Sequence, residues 1–333
     1  MTVKLAINGF GRIGRNILRA LNDRPDLDFE VVAINDLAPL ETNAHLFEFD
    51  SVHGRYGQTV SLGDNTLDVG HGPIRFTAEP DPSKLPWGDV DIALECTGVF
   101  RTPEKAALHL DNGSTRVLIS APAKGDLKTI VYGVNHGQIT ARDQIISNAS
   151  CTTNCLVPIA HVLHEAFGIK RGHMTTVHAY TGTQPTHDRA HNDLYRARAA
   201  ALSMIPTSTG AADTLGIVMP HLDGRITGTA VRVPTPNVSC VDLVVETEKS
   251  ISETDVHDMM NTAAAGALDG VLGVTGRKLV SVDFNHDPRS AIYAADQTSI
   301  QQGTLLRVLA WYDNEWAFSN RMLDTASVMA RCL

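Results

Sequence analysis

The chain has few cysteines and no long apolar run. Its 333 residues include only five cysteines, a small and odd number, which argues against a disulfide-built secreted scaffold and favours reduced thiols. No apolar stretch approaches the roughly 20 residues of a membrane helix. The N-terminus has no charged region followed by a long apolar segment and a cleavage site. We therefore expect a cytoplasmic protein with no membrane partner.

The chain also has no excess of positively charged residues. The formal net charge is −9, which argues against nucleic acid as the main partner. A local cluster of arginines and backbone N–H groups can still bind phosphate on an acidic protein. What remains is ordinary globular composition, 43% hydrophobic and 20% charged, in a chain long enough for two domains.

Strands and helices alternate in the first half of the chain. Residues 3–9 and 29–36 are short apolar runs typical of buried strands, and residues 12–24 between them have helical spacing. This order predicts a parallel, doubly wound α/β sheet. After about residue 150 the strands are longer and richer in β-branched residues, which predicts an α+β domain with a mixed or antiparallel sheet.

A glycine-rich turn follows the first predicted strand. Gly9, Gly11 and Gly14 form a G-x-G-x-x-G pattern that leaves a strand and opens a helix, the context in which it indicates dinucleotide binding. The glycines permit a tight turn and close approach of a pyrophosphate to the backbone. Asp36 ends the next strand, where a carboxylate binds ribose hydroxyls and repels a 2′-phosphate. The pattern favours NAD over NADP; the alternative is an ordinary tight turn beside an exposed acid.

Two cysteines lie four residues apart in the stretch SNASCTTNC, residues 147–155. Their spacing and the lack of a second cysteine pair argue against a metal site, and positions i and i+4 of a helix suit a disulfide poorly. Apolar spacing predicts a helix from Cys151, which Pro158 should kink or make irregular in its first turn. At the positive helix end the pKa of the Cys151 thiol should fall, making it a candidate nucleophile. Burial is the alternative for Cys151 and the preferred interpretation for Cys155.

A thiolate nucleophile needs a base. Among 14 histidines, His178 is the best placed, near the end of a predicted strand. A strand end beside a helix N-terminus can bring an imidazole to a thiol. A solvated or purely structural histidine is the alternative interpretation.

Several long stretches together resemble one family, the phosphorylating glyceraldehyde-3-phosphate dehydrogenases. They are INGFGRIGR (7–15), SNASCTTNC (147–155), STGAA (208–212), RVPTPNVS (232–239) and WYDNEW (311–316), and the resemblance covers essentially the whole chain. It implies NAD-dependent oxidation of D-glyceraldehyde 3-phosphate, with inorganic phosphate, to 1,3-bisphosphoglycerate. Such an enzyme serves glycolysis, gluconeogenesis or carbon fixation.

The resemblance also implies an organisation. It predicts an NAD-binding Rossmann domain over residues 1–149 and a catalytic domain over residues 150–313. A C-terminal helix over residues 314–333 is expected to pack back on the first domain. The implied assembly is a homotetramer.

Residue by residue, the resemblance implies roles around the reacting carbon. Cys151 corresponds to the nucleophile and His178 to its base. The positions that correspond to ligands of inorganic phosphate are Ser150, Thr152, Thr209 and Gly210. Those that correspond to ligands of the substrate phosphate are Thr181 and Arg232, with Arg196 or Arg198 as a further cationic contact from one loop.

The resemblance implies a set of cofactor contacts as well. Asp36 corresponds to the ribose ligand and Asn314 to the residue that holds the nicotinamide carboxamide. The remaining positions of the implied cofactor groove are Gly9, Gly11, Arg12, Ile13, Gly14, Thr97, Gly98, Phe100 and Ser120.

Two departures from the family pattern concern the cofactor. Pro80 stands where many members have an arginine near the adenine, which removes one contact. Arg189 stands where many NAD-specific members have a leucine, and an arginine there tolerates a 2′-phosphate. Because Asp36 still repels that phosphate at close range, we expect NAD to be preferred, with residual NADP use.

Two other functions stay open as alternatives. One is an erythrose-4-phosphate dehydrogenase, in which water rather than phosphate resolves the thioester. The stretch PTSTGAA (206–212) favours the phosphorylating enzyme because it keeps the inorganic-phosphate donors. The other alternative is a catalytically silent regulatory or RNA-binding protein on the same fold, against which the intact cysteine, histidine and arginine set argues.

Overall fold

The computed structural model describes residues 2–333 and separates the chain into two compact units. The first unit extends to Ile130 and adds His136–Ala149 and Ser319–Leu333. The second unit consists of Val131–Asn135 and Ser150–Phe318.

The first unit has a nine-stranded sheet, a separate pair of short strands, Phe49–Asp50 and Gly54–Arg55, and three helices before residue 149. Its strands are β1 (Val3–Asn8), β2 (Phe29–Asn35), β3 (Phe49–Asp50), β4 (Gly54–Arg55), β5 (Ser61–Gly63), β6 (Thr66–Asp68), β7 (Pro73–Thr77), β8 (Ile92–Glu95), β9 (Arg116–Ile119), β10 (Lys128–Thr129) and β11 (Ile145–Ser147). Its helices are α1 (Arg12–Asn22), α2 (Leu40–Glu48) and α3 (Pro103–Asp111).

Nine of these strands form one sheet in the order β10-β11-β9-β8-β1-β2-β7-β6-β5. Pairing is parallel from β10 to β7 and antiparallel beyond it. The central strands carry continuous apolar runs that are fully buried, such as Leu5–Ile7, as expected for parallel strands covered on both faces. The predicted doubly wound Rossmann fold is confirmed.

The register at the carboxyl edge of this sheet places three polar residues side by side. Asn8 ends β1 and lies opposite Asn35 of β2 on one side and Glu95 of β8 on the other. All three side chains are buried. The strand ends therefore form a polar strip next to the glycine turn that follows β1.

The second unit is a mixed sheet with three helices. Its strands are β12 (Ile169–Ala179), β13 (Ile205–Thr207), β14 (Ile226–Val233), β15 (Ser239–Thr247), β16 (Leu272–Thr275), β17 (Ala291–Ala294), β18 (Ser299–Gln301) and β19 (Leu305–Tyr312). Its helices are α4 (Cys151–Phe167), α5 (Ala211–Val218) and α6 (Glu253–Ala264). The order is β13-β14-β12-β15-β19-β17-β16, with β18 paired to β19. The predicted mixed sheet is confirmed.

Helix α4 covers one face of this sheet and contacts β15, β17 and β19. Side chains alternate along β12: Met174, Thr176 and His178 are buried, whereas His173 and Val177 are exposed. The period of two directs one set of side chains toward α4 and the other toward solvent. Helix α4 continues past Pro158 to Phe167, and Pro158 and its neighbours are buried there. A kink or an irregular first turn at Pro158 stays a prediction.

The last helix is α7 (Trp316–Ala330), and its residues from Ser319 onward belong to the first unit. Within that unit, Thr325 donates to the Asn148 side chain over 2.8 Å and Arg24 pairs with Asp324 at 3.3 Å. In the described residues 2–333, no helix is both long and apolar enough to cross a membrane.

Candidate active site

Cys151 and His178 meet in the second unit. Cys151 is the first residue of α4, and Ser150 caps the helix by accepting a hydrogen bond from the Thr153 backbone N–H at 3.1 Å. His178 lies near the end of β12 on the face that α4 covers. The distance from Cys151 Sγ to His178 Nε2 is 3.5 Å, which is hydrogen-bond contact for a sulfur atom. The predicted thiol–imidazole pair is therefore present.

The second ring nitrogen of His178 lies close to one acceptor and one donor. Nδ1 is 2.7 Å from the Ala179 carbonyl oxygen and 2.7 Å from Nη1 of Arg232. Arg232 also donates to the Ala179 carbonyl over 2.9 Å. In the tautomer that donates its Nδ1–H to this carbonyl, Arg232 donates to the carbonyl alone and not to Nδ1. Nε2 is then free to accept the thiol proton.

Burial, and then the positive charge of Arg232, lower the pKa of His178 to about 3. The imidazole is therefore neutral near pH 7 and can accept a proton. Burial raises the pKa of the Cys151 thiol, although Arg232 and the hydrogen bonds of Thr152 oppose that effect. The sequence predicts that the positive end of α4 lowers the pKa of Cys151. That prediction is wrong, because loss of water around the thiol has the larger effect.

A cluster of buried hydroxyls supports the pair. The Tyr312 hydroxyl is 2.8 Å from Thr152 Oγ1 and 3.0 Å from Thr176 Oγ1. Its ring packs edge-on against the imidazole of His178, with centroids 5.9 Å apart. Tyr312 was not predicted as a site residue. Strand pairing is what places Tyr312 at the site. The end of β19 pairs with the start of β15, which in turn pairs with the end of β12.

Of the three predicted arginines, Arg232 and Arg196 lie near the thiol–imidazole pair and Arg198 does not. The charge of Arg196 acts on the pKa values of both His178 and Arg232. Its Nε donates to Thr207 Oγ1 over 2.9 Å. Arg198 instead pairs with Asp188 at 2.9 Å and is exposed. Of the two loop arginines, Arg196 is the one placed near the imidazole.

The other predicted anion ligands lie on separate elements of the same unit. Thr181 follows β12, and its hydroxyl is 3.1 Å from that of Thr183. Gly210 precedes α5, where the Thr209 hydroxyl accepts from the Ala211 N–H at 3.2 Å.

The predicted nicotinamide contact, Asn314, also lies in the second unit. It follows β19 and accepts from the Ser239 hydroxyl at 2.8 Å. This contact occupies the amide oxygen of Asn314 and orients its amide nitrogen as a donor.

A cavity of about 440 Å³ lies in the first unit at the carboxyl edge of its sheet. Five residues predicted for the cofactor groove line it: Gly9, Gly11, Asp36, Thr97 and Phe100. The lining residues that were not predicted as contacts are Asn8, Asn35, Leu37, Glu79, Pro80, Cys96 and Val99.

Most of the other predicted groove residues are close in sequence to this lining, whereas Ser120 lies on a neighbouring strand end. Arg12, Ile13 and Gly14 form the first turn of α1, and Gly98 lies between two lining residues. Ser120 follows β9, where its N–H donates to the Glu95 carbonyl oxygen over 2.9 Å. Ser120 also hydrogen-bonds the Cys96 thiol, whose pKa burial raises to about 12.

The glycine turn has the shape that a dinucleotide requires. Gly9 has φ +92°, and a Cβ atom there would lie 2.8 Å from the Thr97 backbone nitrogen. A Cβ on Gly14 would lie 2.2 Å from the Gly9 carbonyl oxygen. At Gly11, the N-cap of α1, a Cβ would meet nothing within 4 Å. The backbone at the helix start is thus open to an anion, as pyrophosphate binding needs.

Asp36 completes the fit for a dinucleotide. It directly follows β2 and is half-buried. Its carboxylate accepts from the backbone N–H groups of Phe10 and Ala38 at 2.8 and 2.9 Å. These contacts fix the carboxylate at the cavity wall, where ribose hydroxyls can reach it.

Comparison with known proteins agrees with this geometry. Residues 3–103 match the family model "Glyceraldehyde 3-phosphate dehydrogenase, NAD binding domain", and residues 150–314 match the C-terminal domain of the same family. The chain is 60% identical over 333 residues to a glyceraldehyde-3-phosphate dehydrogenase of Cereibacter sphaeroides, covering 100% of both chains. It is 58% identical to that of Xanthobacter flavus and 51% identical to that of Geobacillus stearothermophilus, over 99% of each chain.

These matches confirm the predicted family, its enzyme class and NAD as its cofactor. They extend over the whole chain rather than over the glycine turn alone. The chain therefore belongs to the glyceraldehyde-3-phosphate dehydrogenase family.

Proposed function

We propose that the chain oxidises D-glyceraldehyde 3-phosphate to 1,3-bisphosphoglycerate, with NAD and inorganic phosphate as co-substrates. The observation that carries this proposal is the 3.5 Å contact between Cys151 Sγ and His178 Nε2, with Arg232 and Arg196 beside it. A nucleophile, a base and cations are the groups that covalent oxidation of a phosphorylated aldehyde requires.

The first step is attack of the Cys151 sulfur on the aldehyde carbon. The thiol proton moves to His178 Nε2 and then to the carbonyl oxygen, which gives a neutral thiohemiacetal. The charge of Arg232 favours the thiolate, since it acts to lower the pKa of Cys151. His178 is buried beside the sulfur, which shields the proton acceptor from bulk water.

The second step is oxidation of the thiohemiacetal to a thioester. NAD, when bound, accepts the hydride. His178 takes the hydroxyl proton as the carbon–oxygen double bond forms, and its neutral state makes it available for this transfer. The amide nitrogen of Asn314 is the donor proposed for the nicotinamide carboxamide.

In the third step inorganic phosphate attacks the thioester carbon and the Cys151 thiolate leaves. The proposed phosphate donors are Ser150, Thr152, Thr209 and the Gly210 backbone at the start of α5. We assign Arg232, Thr181 and Arg196 to the substrate phosphate. Arg198 is left out because it pairs with Asp188.

The groove in the first unit is the proposed NAD site. The contacts proposed there are Gly9, Gly11, Arg12, Ile13, Gly14, Asp36, Thr97, Gly98, Phe100 and Ser120. The pyrophosphate would lie over the start of α1 and the ribose hydroxyls against Asp36. Some NADP use is proposed, because Arg189 is an exposed cation.

A homotetramer in the cytoplasm is the proposed form of the protein. The solvent face of the second sheet carries Val177, Val231, Val244, Leu309 and Trp311, which are exposed or half-exposed. Leu194 and Leu202 of a neighbouring loop are 82% and 80% exposed. Apolar surface of this kind favours burial against further copies. Sedimentation equilibrium is expected to give four times the chain mass, and a monomer would contradict the assembly.

Steady-state kinetics test the proposed reaction. Glyceraldehyde 3-phosphate and erythrose 4-phosphate should each be assayed with and without inorganic phosphate, using NAD and NADP. Sustained turnover is expected with glyceraldehyde 3-phosphate and NAD, and it should require phosphate or arsenate. Phosphate-independent turnover with a preference for erythrose 4-phosphate would overturn the proposal.

A further inference from the structure

A carboxylate and an imidazole are buried together beneath the proposed NAD groove. Glu95 ends β8 and His109 lies in α3, and both side chains are 0% exposed. Glu95 Oε2 and His109 Nε2 are 2.9 Å apart. Neither residue lines the cavity, and neither has a role in the proposed reaction.

Glu95 is surrounded by donors. One carboxylate oxygen accepts from the Thr97 N–H at 2.8 Å and from the Thr97 hydroxyl. The other accepts from Asn8 Nδ2 at 2.7 Å and contacts His109 Nε2. Burying a carboxylate is costly unless donors surround it, and these contacts satisfy both oxygens. Since a carboxylate only accepts, Nε2 of His109 carries the proton that points to it.

The same carboxylate fixes the orientation of two amides. Because Asn8 Nδ2 donates to Glu95, Asn8 Oδ1 is free to accept, and it does so from Asn35 Nδ2 at 2.8 Å. Asn35 Oδ1 then accepts from the Thr77 hydroxyl at 2.8 Å and the Glu79 N–H at 2.9 Å. The chain of hydrogen bonds joins the carboxyl ends of β8, β1, β2 and β7, which are neighbours in the sheet.

This chain of hydrogen bonds forms the floor of the groove. Asn8, Asn35, Glu79 and Thr97 all line the cavity. Thr97 is also the residue against which Gly9 packs, since a Cβ on Gly9 would lie 2.8 Å from the Thr97 nitrogen. A change at Glu95 would thus act on the glycine turn through Thr97 and on the groove floor through the two asparagines.

His109 holds the carboxylate from below. Its ring stacks on Trp87, with centroids 5.5 Å apart and planes 11° apart, and meets the edge of Phe100. Its Nδ1 has no hydrogen-bond partner within residues 2–333. A neutral imidazole leaves only an acceptor unpaired there, whereas a protonated one would bury an unpaired donor and a charge. His109 is therefore suited to act as a single neutral donor to Glu95.

We propose that Glu95 and His109 are positioning residues for NAD, which orient Asn8, Asn35 and Thr97 in the groove floor. The inference rests on the proposed placement of NAD in this groove. A merely structural role would predict lower stability with unchanged coenzyme affinity. The positioning role predicts weaker coenzyme binding that returns when a donor is restored at position 109.

The test uses five variants of the full-length protein, four of them compared first, with NAD binding measured by titration calorimetry. His109→Leu removes the donor, and Glu95→Gln removes the charge and replaces one acceptor oxygen with an NH2 donor. Each is expected to raise the Kd for NAD by about tenfold, as expected for a lost hydrogen bond to a charged group. His109→Gln restores a donor and should bind NAD within about threefold of wild type. Tyr56→Phe is the matched control, since it removes hydrogen bonds to Asn22 and Val69 in the same unit and should leave the Kd unchanged.

Two further readouts separate positioning from stability. The KM for NAD should rise in His109→Leu with little change in kcat, and amide hydrogen exchange should increase at Thr97 and its neighbours. Thermal unfolding of all variants shows whether Tyr56→Phe matches their loss of stability. If His109→Leu does not fold, Glu95→Gln carries the same expectation and decides the question.

Asp36→Ala distinguishes the two ways in which the inference can fail. Unchanged NAD affinity in this variant contradicts the placement of NAD in the groove. Weaker binding in Asp36→Ala, with wild-type binding in His109→Leu and Glu95→Gln, contradicts the positioning role alone. The positioning role is also contradicted if His109→Leu and Glu95→Gln weaken NAD binding only as much as Tyr56→Phe does.

Discussion

The two polar regions of this protein differ in how their buried groups are satisfied. Beneath the groove of the first unit, Glu95 is saturated with donors from Asn8, Thr97 and His109. In the second unit, the buried His178 contacts the partly exposed Cys151. Loss of water raises the pKa of the thiol and lowers that of the imidazole, which favours the neutral form of each. A saturated network is rigid, which suits binding. A desolvated thiol and imidazole in contact are held ready for proton transfer, which suits catalysis.

The largest expected effect concerns the thiol itself. Cys151→Ala should lower kcat by roughly 10⁴-fold or more, because no other group can form the thiohemiacetal. Binding of NAD, measured by calorimetry, should change little. The matched control is Cys155→Ala, one helical turn along α4, where the thiol is fully buried. Comparable losses in the two variants would contradict the assignment of the nucleophile.

Removing the base should have the next largest effect. His178→Asn should lower kcat by roughly 10²- to 10⁴-fold, the range for loss of a general base. Alkylation of Cys151 by iodoacetamide near pH 7 should slow in the same variant, since the proton acceptor is gone. Unchanged alkylation and turnover would show that another group takes the proton.

Acid stability should report on the buried imidazole of the second unit. His178 has a pKa of about 3 in the fold and about 6.5 when unfolded. Between these values the unfolded chain binds a proton that the native protein does not, so stability falls as the pH falls from 6.5 toward 3. The slope should approach about 1.4 kcal/mol per pH unit from this residue. Urea unfolding from pH 7 to 4 should show a shallower slope in His178→Asn, and equal slopes would contradict the buried neutral imidazole.

Coenzyme preference should respond more modestly. Asp36→Asn keeps the side-chain shape and removes the charge that opposes a 2′-phosphate. The ratio of kcat/KM for NADP to that for NAD should rise by about tenfold, since one close like-charge contact is lost. Asp28→Asn makes the same charge change at the amino end of β2, away from the groove, and should leave the ratio unaltered. A wild-type enzyme equally efficient with both coenzymes would already contradict the expected preference for NAD.

The smallest expected effect concerns the hydroxyl cluster. Tyr312→Phe removes the partner of Thr152 and Thr176 and should cost about 1 kcal/mol of stability. Tyr293→Phe, which loses its contact with Thr298 elsewhere in the second unit, should cost a similar amount. Only Tyr312→Phe is expected to lower kcat, because its ring also packs on His178. Equal kcat values in the two variants would leave Tyr312 with a structural role alone.

Much of the fold was predictable because local patterns decide it. Strands β1 and β2 are continuous apolar runs, the turn at Gly9 and Gly11 follows β1, and Ser150 precedes α4 as a cap. Each of these signals lies within a few residues of the structure it predicts. Helix α4 nevertheless continues past Pro158, which shows that buried packing can keep a proline inside a helix against its local preference.

The rest depends on residues that are distant in sequence. Asn8, Asn35 and Glu95 become neighbours only through the parallel register of β2, β1 and β8. Tyr312 reaches Thr152 across 160 residues. The raised pKa of Cys151 likewise follows from burial, which the helix start alone does not reveal. Sequence patterns identify chemical groups and local elements, whereas desolvation and long-range register require the folded chain.

The most direct test of the proposed reaction is to trap its covalent intermediate. The enzyme should be mixed with NAD and glyceraldehyde 3-phosphate in the absence of inorganic phosphate, quenched with acid and analysed by peptide mass spectrometry. An acyl group is expected on the peptide that contains Cys151, together with a stoichiometric burst of NADH, and added phosphate should discharge it. Continuous turnover without phosphate, or an acyl group on any other residue, would contradict the account.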